Sequence, residues 1–537
     1  MSSSSAPAAA ADAAPRLLWL AAVSGILSGC AFAPVDWKWL AWIGLIPLAL
    51  AVARSRRPST AFFLGYLAGL IFFLLTLHPL VSAHAWSGWR QESPAAFAAR
   101  MGRQWWFLNG VWLAFAALGA AFWGAWAWLV RRLFNGAGWR ALLGAVSLWV
   151  LVPEWLRAQA TFGYTWALLG NAAADWPAIR QLAAFGGVWL LSALLVAVNL
   201  ALAALLRRPK TAASVRAPVG VLCGALALAG VGAVRLHQPM ASNGSFAAAA
   251  LQRTQPSYTT QDFLETGLDR SYLPMVHEAL SQEARLVMLP ESIVLGAASL
   301  DGTPSRAKPA RWLAGRAAWD RQMRELLAGT EAVLILGLDT VEGGRDHNTL
   351  IAWTAEGAVG WYHKQRLVPF SEYQPSGWGA WIIRGESEYS PGAGSQLIRA
   401  PAMVLGGFIC QEVLLPSLIR HSVRDGATIL ITGGNDGVFG DAAVAAVHAD
   451  AAQLRAVEAG RYLVRAMKSG ISAIIDPRGR ELARSRSDEP AILTQTIGPQ
   501  QALTPYVRLG DWVMWLAAVG WLAASLFAPR HRGRSVL

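Results

Sequence analysis

The chain has 537 residues, 54% of them hydrophobic and only 15% charged. Soluble domains carry about 25% charged residues, so this composition excludes intrinsic disorder and an ordinary cytosolic enzyme. The formal net charge of +13 invites a nucleic-acid reading, but the arginines gather beside apolar segments, which is the pattern of membrane orientation, and no nucleic-acid partner is expected.

Residues 1–15 form a Ser/Ala-rich tail expected to be disordered. Eight stretches then approach the ~20 apolar residues that a spanning helix needs. They are 17–35, 38–53, 60–82, 104–130, 140–157, 183–206, 217–236 and 510–529. The fifth is the weakest, because Pro153, Glu154 and Arg157 lie at its end. Leu27-Ser28-Gly29-Cys30 looks like a lipoprotein-processing site, but it sits inside the first stretch with only Arg16 upstream, and small residues there read better as a helix-packing patch.

Orientation follows from basic residues in the short loops. Arg54, Arg56 and Arg57 form one cluster, and Arg131, Arg132 and Arg140 a second. Arg207, Arg208, Lys210 and Arg216 form a third, and Arg530, Arg532 and Arg534 a fourth. All four fall on one side if both termini are cytoplasmic. Segment 237–509, between the last two spans, then lies on the opposite, periplasmic face of a bacterial inner membrane.

That segment alternates β-rich runs with helical ones. Strands are expected at Phe246–Leu251, Leu286–Leu289, Ala332–Leu336, Thr349–Trp353, Ala358–Tyr362, Val404–Ile409, Thr428–Ile431 and Ile471–Ile475. Most are continuous apolar runs, as in sheets buried on both faces. Helices are expected at 272–284, 308–328, 415–424 and 444–460. The fold expected is a membrane α-helical bundle of about eight spans plus one α/β domain of 237–509, with residues 530–537 as a cytoplasmic tail.

In α/β folds, ligands sit beyond the carboxyl ends of strands. Three ionisable groups hold such positions. Glu291 closes Leu286-Val287-Met288-Leu289-Pro290-Glu291, where partial desolvation would raise its pKa toward base duty. Taken alone it reads more simply as a solvated loop carboxylate. Lys364 ends Trp361-Tyr362-His363-Lys364, where an ammonium can neutralise an oxyanion. Alone it reads as a surface lysine. Cys410 follows Gly406-Gly407-Phe408-Ile409 and is the one cysteine outside the apolar spans. It is either an inert core thiol or a nucleophile.

Together the three supply an acyl transfer: a thiol to attack, a carboxylate to take its proton, an ammonium for the tetrahedral oxyanion. A Cys–His pair drawn from His363, His421 or His448 is a lesser alternative. No zinc spacing, nucleophile elbow of the GxSxG type or phosphate loop is present, and no metal or cofactor is expected.

Glu291, Lys364 and Cys410, in this order and context, resemble the Glu-Lys-Cys triad of the nitrilase superfamily. The eight spans with the domain between the last two resemble apolipoprotein N-acyltransferase. Further matching stretches are Leu289-Pro290-Glu291-Ser292, the run from Lys364 to Pro375, Cys410-Gln411-Glu412, Asn435-Asp436-Gly437 with Phe439-Gly440, the residues His448, Arg455, Ala456, Glu458, Arg461 and Arg465, and Gly470-Ile471-Ser472-Ala473.

The resemblance implies an α-β-β-α sandwich for the domain. It implies a phospholipid as acyl donor, a diacylglyceryl-modified apolipoprotein as acceptor, a cysteine thioester, and a monomer in the membrane. Glu372, Gln411, Glu412 and Asn435 are then supporting or substrate-positioning residues. The apolar, Gly-rich run 376–383, with Trp378 and Trp381, reads as an arm at the bilayer interface.

Arg253, Thr254, Gln261, Gln411, Val438 and Lys468 depart from the family pattern, which bears on the lipid-facing pocket and hence on donor and acceptor. A divergent paralogue, including homologues carried with conjugation genes, fits these departures. The competing readings are a membrane-tethered amidase that lets water resolve the thioester, and a non-catalytic membrane scaffold.

Overall fold

The computed structural model describes residues 13–80, 94–134, 138–160, 165–207, 212–239, 244–253, 272–291, 293–305, 313–369, 372–373, 389–436, 442–487 and 489–526. The chain divides into two compact units. One comprises Met1–His78, Gly110–Leu236 and Asp511–Leu537, and the other Pro79–Asn109 and His237–Gly510.

The first unit is helical. Five of its helices are long and apolar enough to cross a bilayer: Pro58–Thr76, Asn109–Leu133, Trp139–Gln159, Ala183–Leu206 and Val215–His237. Pro15–Cys30 and Trp512–Leu526 are shorter apolar helices. Large apolar side chains stand outward, among them Trp19, Phe63, Leu226, Trp515 and Leu526. A surface of that kind suits hydrocarbon and not water.

The second expected stretch, 38–53, differs from a single helix. It is a 3-10 turn, Lys38–Trp42, followed by the nine-residue helix Ile46–Arg54. Gly44 and Pro47 explain the break, and the backbone groups it frees are met by side chains. Asn199 accepts from Leu45 N at 2.9 Å and donates to Ala41 O at 2.8 Å, and Ser24 Oγ donates to Gly44 O at 2.6 Å. Interrupted helices persist in lipid only where neighbours supply such partners.

The fifth stretch is continuous across Glu154 and Arg157, through a π-helical turn at Val150–Leu156. Glu154 accepts from Trp149 Nε1 (3.2 Å), Leu169 N (3.0 Å) and Ser192 Oγ (3.1 Å). Arg157 donates to the Pro153 and Trp166 carbonyls.

Two arginines of the second basic cluster reach the ends of other described helices. Arg131 Nε donates to Ser55 O at 2.6 Å, and Arg140 Nη2 donates to Ala524 O at 3.1 Å.

The second unit contains fourteen described strands. In chain order the first seven are β1 (Phe246–Gln252), β2 (Ala284–Met288), β3 (Val294–Ser299), β4 (Leu313–Gly315), β5 (Val333–Glu342), β6 (Arg345–Thr354) and β7 (Gly357–His363). The rest are β8 (Leu397–Ala400), β9 (Met403–Ile409), β10 (Ile429–Gly434), β11 (Leu463–Met467), β12 (Ala473–Ile475), β13 (Glu481–Arg484) and β14 (Ala491–Ile497). One sheet runs β14-β1-β2-β5-β3-β4, with β6 paired to β5 and β7 to β6. The other runs β13-β12-β11-β10-β9-β8. The strands at the heart of each sheet are parallel: β1, β2 and β5 in one, β9, β10 and β11 in the other.

Leu286, Met288, Val333, Ile335, Leu350 and Tyr362 from the first sheet share a core with Leu405, Ile409, Ile429, Ile431 and Val464 from the second. The opposite face of the first sheet buries Val287, Leu334 and Ile351 against Val276 and Ala279 of helix Leu273–Ser281 and Met323 and Leu327 of helix Arg316–Leu327. Helices Pro416–Arg424 and Ala442–Ala459 pack with the second sheet, giving α-β-β-α layering. The helix expected over 308–328 is shorter than expected, because Leu313–Gly315 pairs with β3 as a strand.

Candidate functional site

Glu291 sits where β2 gives way to β3. The two strands occupy successive parts of one edge of β5, and the intervening residues keep the ladder: Leu289 N to Ile335 O (2.9 Å), Gly337 N to Pro290 O (3.1 Å) and Ile293 N to Gly337 O (3.1 Å). Residue 337 has to be glycine. A Cβ there would lie 2.4 Å from Pro290 O and 2.6 Å from the Glu291 Cα.

Lys364 follows β7, and its N–H donates to Asn348 O at 2.8 Å, which extends the β6–β7 ladder by one pair. That register turns Asn348 and Lys364 toward the same carboxylates. Lys364 Nζ lies 2.6 Å from Glu372 Oε1 and 3.7 Å from Glu291 Oε1. Asn348 Nδ2 donates to Glu291 Oε1 at 2.5 Å and to Glu372 Oε1 at 3.3 Å. Glu372 Oε2 in turn accepts from Val368 N at 2.8 Å. Asn348 escapes sequence reasoning. It stands one residue before an expected strand, and only pairing with Lys364 gives it a role.

Cys410 comes from the other sheet. It directly follows β9 and has φ of +53°, in the left-handed region, at the start of a 3-10 turn, Cys410–Leu414. Such strain in a non-glycine residue is kept only where the surroundings enforce it. Glu412 does much of the enforcing. Its carboxylate accepts from Ile409 N (2.7 Å), Gln365 N and Arg366 N (2.8 Å each) and Tyr362 Oη (2.9 Å). It thereby ties the turn after β9 to the turn after Lys364. Burial pushes its carboxyl up to about 7, against the pull of Lys364 and the backbone donors. Gln411 Nε2 donates to Arg366 O at 3.3 Å, a weaker strut between the same turns.

All of these groups are withdrawn from water: Glu291 and Cys410 are each 7% exposed and Lys364 is 1% exposed. Burial raises the Glu291 carboxyl, Lys364 opposes that, and the charges of Glu372 and Asp436 add to it. Burial alone would lower Lys364, but the carboxylates of Glu372 and Glu291 outweigh it and hold the ammonium above its ordinary value. Burial, then the charge of Glu291, pushes the Cys410 thiol up, with Lys364 working against both. The resting site is therefore a thiol beside an ammonium and two carboxyl groups.

At the end of β10, Asn435 is half-buried and Asp436 is buried. Asp436 accepts from Arg465 Nη2 at 2.9 Å and pairs with His448 Nδ1 at 2.7 Å, and these partners overcome burial to keep it below the usual carboxylate range. Lys468, just past β11, is 8% exposed. Burial brings its pKa down to about 8, partly offset by the charges of Glu291 and Asp339. A second buried cation thus bears on the same carboxylate.

Two of the three candidate histidines are occupied elsewhere. His363 meets Thr349 Oγ1 at 2.8 Å and Glu342 Oε2 at 3.0 Å, and burial with the neighbouring His347 lowers it to about 4. His448 serves Asp436, and His421 is exposed. Among the described residues no group of three His, Cys, Asp or Glu is arranged to hold a metal ion. Trp378, Trp381, Thr254, Gln261 and Val438 lie outside the described residues.

Two family models match the chain: the apolipoprotein N-acyltransferase N-terminal domain over residues 24–201 and carbon-nitrogen hydrolase over 247–503. An apolipoprotein N-acyltransferase of Azotobacter vinelandii is 31% identical over 527 residues, covering 94% of each chain. One from Gloeobacter violaceus is 29% identical over 514 residues, 93% of this chain and 92% of that one. Among solved structures, an amidase of the nitrilase superfamily from Nesterenkonia AN1 aligns with 52% of this chain and 98% of its own, at 18% identity and a TM-score of 0.37.

Proposed function

We propose a reaction from one premise: the chain belongs to the apolipoprotein N-acyltransferase family and is a multi-pass membrane acyltransferase of the nitrilase superfamily. The observation that carries the proposal is the buried group of Glu291, Lys364 and Glu372, at 3.7 and 2.6 Å, with a strained Cys410 under the charge of each.

In the first half-reaction Glu291 takes the Sγ proton of Cys410, and the thiolate attacks an ester carbonyl of a phospholipid. The oxyanion is met by the Lys364 ammonium and a backbone N–H near Gln411. As the C–O bond breaks, the proton held by Glu291 passes to the departing alkoxide. A lysophospholipid leaves and a thioester remains on Cys410. In the second half the terminal amine of a diacylglyceryl-modified apolipoprotein attacks the thioester, Glu291 takes the amine proton, and the thiolate departs and is reprotonated. Burial matters in both halves. A raised carboxyl pKa lets Glu291 act as base and acid near neutral pH, and a raised thiol pKa keeps sulfur protonated until that base removes the proton.

Glu372 fixes the ammonium, Glu412 holds the two turns in register, and Gln411 and Asn435 face substrate. Metal and cofactor have no part in these steps, and one copy of the chain suffices.

Eight crossings remain the working topology, the second being the broken one at 38–53. The basic clusters are assigned to the cytoplasm and the α/β unit to the periplasm. Trp378 and Trp381 are assigned to the bilayer interface, where indole is favoured. Replacing both with Ala should lower turnover of long-chain phospholipid at least ~10-fold more than that of a water-soluble ester. Equal loss on both substrates removes the arm from the proposal.

The deciding experiment is complementation of a bacterium depleted of its own N-acyltransferase, with mass spectrometry of a lipoprotein N-terminus. An added acyl chain on the amine is expected, with lysophospholipid as co-product. Free fatty acid with an unmodified amine would establish hydrolysis instead.

A further inference from the structure

Tyr362 is wholly buried between the two sheets of the α/β unit, and none of the reaction steps uses it. It stands two residues before Lys364, so the two side chains leave the chain on the same face, toward the second sheet. Its ring lies against β9 at Gly407, where a Cβ would come within 2.9 Å of the Tyr362 Cγ. Glycine at 407 lets an aromatic side chain of the first sheet reach the turn that carries Cys410.

There the hydroxyl donates to Glu412 Oε2 at 2.9 Å. The two oxygens of Glu412 face different turns. Oε1 accepts from Gln365 N and Arg366 N, just past Lys364, and Oε2 accepts from Ile409 N, beside Cys410. Tyr362 therefore grips the oxygen on the cysteine side from the strand on the lysine side. Among the described residues the other three donors are backbone N–H groups, so the hydroxyl is the one that a side-chain substitution removes. A protonated carboxyl would turn an O–H on one of these donors and lose that bond.

The neighbouring charges are few. Lys364 favours the charged form of Glu412. Arg455 of helix Ala442–Ala459 donates to Val413 O and pairs with Glu458, and Asp436, past β10, pairs with Arg465 and His448. Arg420 of helix Pro416–Arg424 lies over the Tyr506 ring, and His421 is exposed.

We propose, resting on the acyl transfer assigned above to Glu291, Lys364 and Cys410, that Tyr362 is a positioning residue for it: its hydroxyl fixes the Glu412 carboxylate, and that carboxylate holds the Cys410 turn and the Lys364 turn at their working separation. Tyr362 touches neither substrate.

The test compares the full-length parent, Tyr362→Phe, Glu412→Gln and the double variant in detergent. Two rates are followed against pH: acyl-enzyme formation from phospholipid, and alkylation of Cys410 by iodoacetamide, read by mass spectrometry of the Cys410 peptide. The second involves no lipid, so it reports on the clamp even where the acyl transfer fails. Tyr362→Phe should slow both about 10-fold at neutral pH, through kcat, with KM for phospholipid within about 2-fold of the parent. Glu412 titrates at about 7 in the parent, and losing a bond to the charged form raises a carboxyl pKa, so the acid limb should move to higher pH. In Glu412→Gln the clamp is already released, and adding Tyr362→Phe should slow neither rate further. The proposal is overturned if Tyr362→Phe matches the parent in both rates and both profiles, if it raises KM alone, or if its effect is undiminished in Glu412→Gln. Should Tyr362→Phe not fold, 3-fluorotyrosine at position 362, a stronger donor, should move the acid limb to lower pH, and an unmoved limb overturns the proposal. A parent that forms no acyl-enzyme, while Cys410 alkylation follows these expectations, would sink the acyl transfer and leave the clamp standing.

Discussion

The two units bury ionisable groups to opposite ends. In the membrane unit, Glu154 is enclosed by an indole N–H, a backbone N–H and a hydroxyl, each a partner that stays put. In the α/β unit, Glu291 and Glu372 share one ammonium and one amide, beside a thiol that burial and then their charges hold protonated. The first arrangement leaves nothing to react: its polar atoms are paired because hydrocarbon offers no alternative. The second leaves the protons contested among neighbours, as acid–base chemistry requires.

The sharpest way to break this contrast is at the thiol. Cys410→Ser should bring acyl-enzyme formation below detection, a loss of at least ~10³-fold, while membrane insertion is unchanged. A thioester-like adduct trapped in that variant would place the nucleophile elsewhere.

A smaller effect is expected at Asn348. Asn348→Ala removes a donor from the Glu291 carboxylate, so the acylation rate should fall about 10- to 100-fold. Losing a bond to the charged form raises a carboxyl pKa, so the acid limb of the rate profile should also move to higher pH. A drop in rate with no movement of that limb would make Asn348 a packing residue only.

Lys468 offers a finer probe. Lys468→Met removes a nearby positive charge, which again raises the Glu291 pKa and moves the acid limb upward. Lysine loses its charge above about 8 in this setting, so any decline of the parent rate above that pH should vanish in the variant. The rate at neutral pH should fall only severalfold. Superimposable profiles for parent and variant would detach Lys468 from the site.

The smallest effect on chemistry belongs to the membrane unit. Glu154→Leu strands three donors, at a stability cost of about 1–3 kcal/mol for each that stays unmet, whereas the acylation rate per folded molecule should stay within about 2-fold. A large rate loss with unchanged melting would erase the distinction between the units.

Much of this was legible beforehand, residue by residue. Strand-length apolar runs followed by Glu291, Lys364 and Cys410 put all three at strand ends, where the fold has them. Six strands, β3, β4, β8, β11, β13 and β14, fall outside the expected set. Leu463–Met467 carries Arg465 and Ala491–Ile497 alternates with polar residues, so neither makes a continuous apolar run. The broken second stretch was hidden for a related reason. Its composition is apolar enough to span despite Gly44 and Pro47, and the partners that meet the freed backbone groups, Asn199 and Ser24, sit on other helices.

What the amino-acid order determined alone is local: hydropathy marks the apolar helices, and apolar runs mark buried strands. The folded chain decided the rest. The carboxylate and ammonium ride on one sheet and the sulfur on the other, and two turns are joined through Glu412. Proton affinities in such a cluster depend on burial and on charges a few ångströms away. Those distances come into being only when the sheets pack face to face.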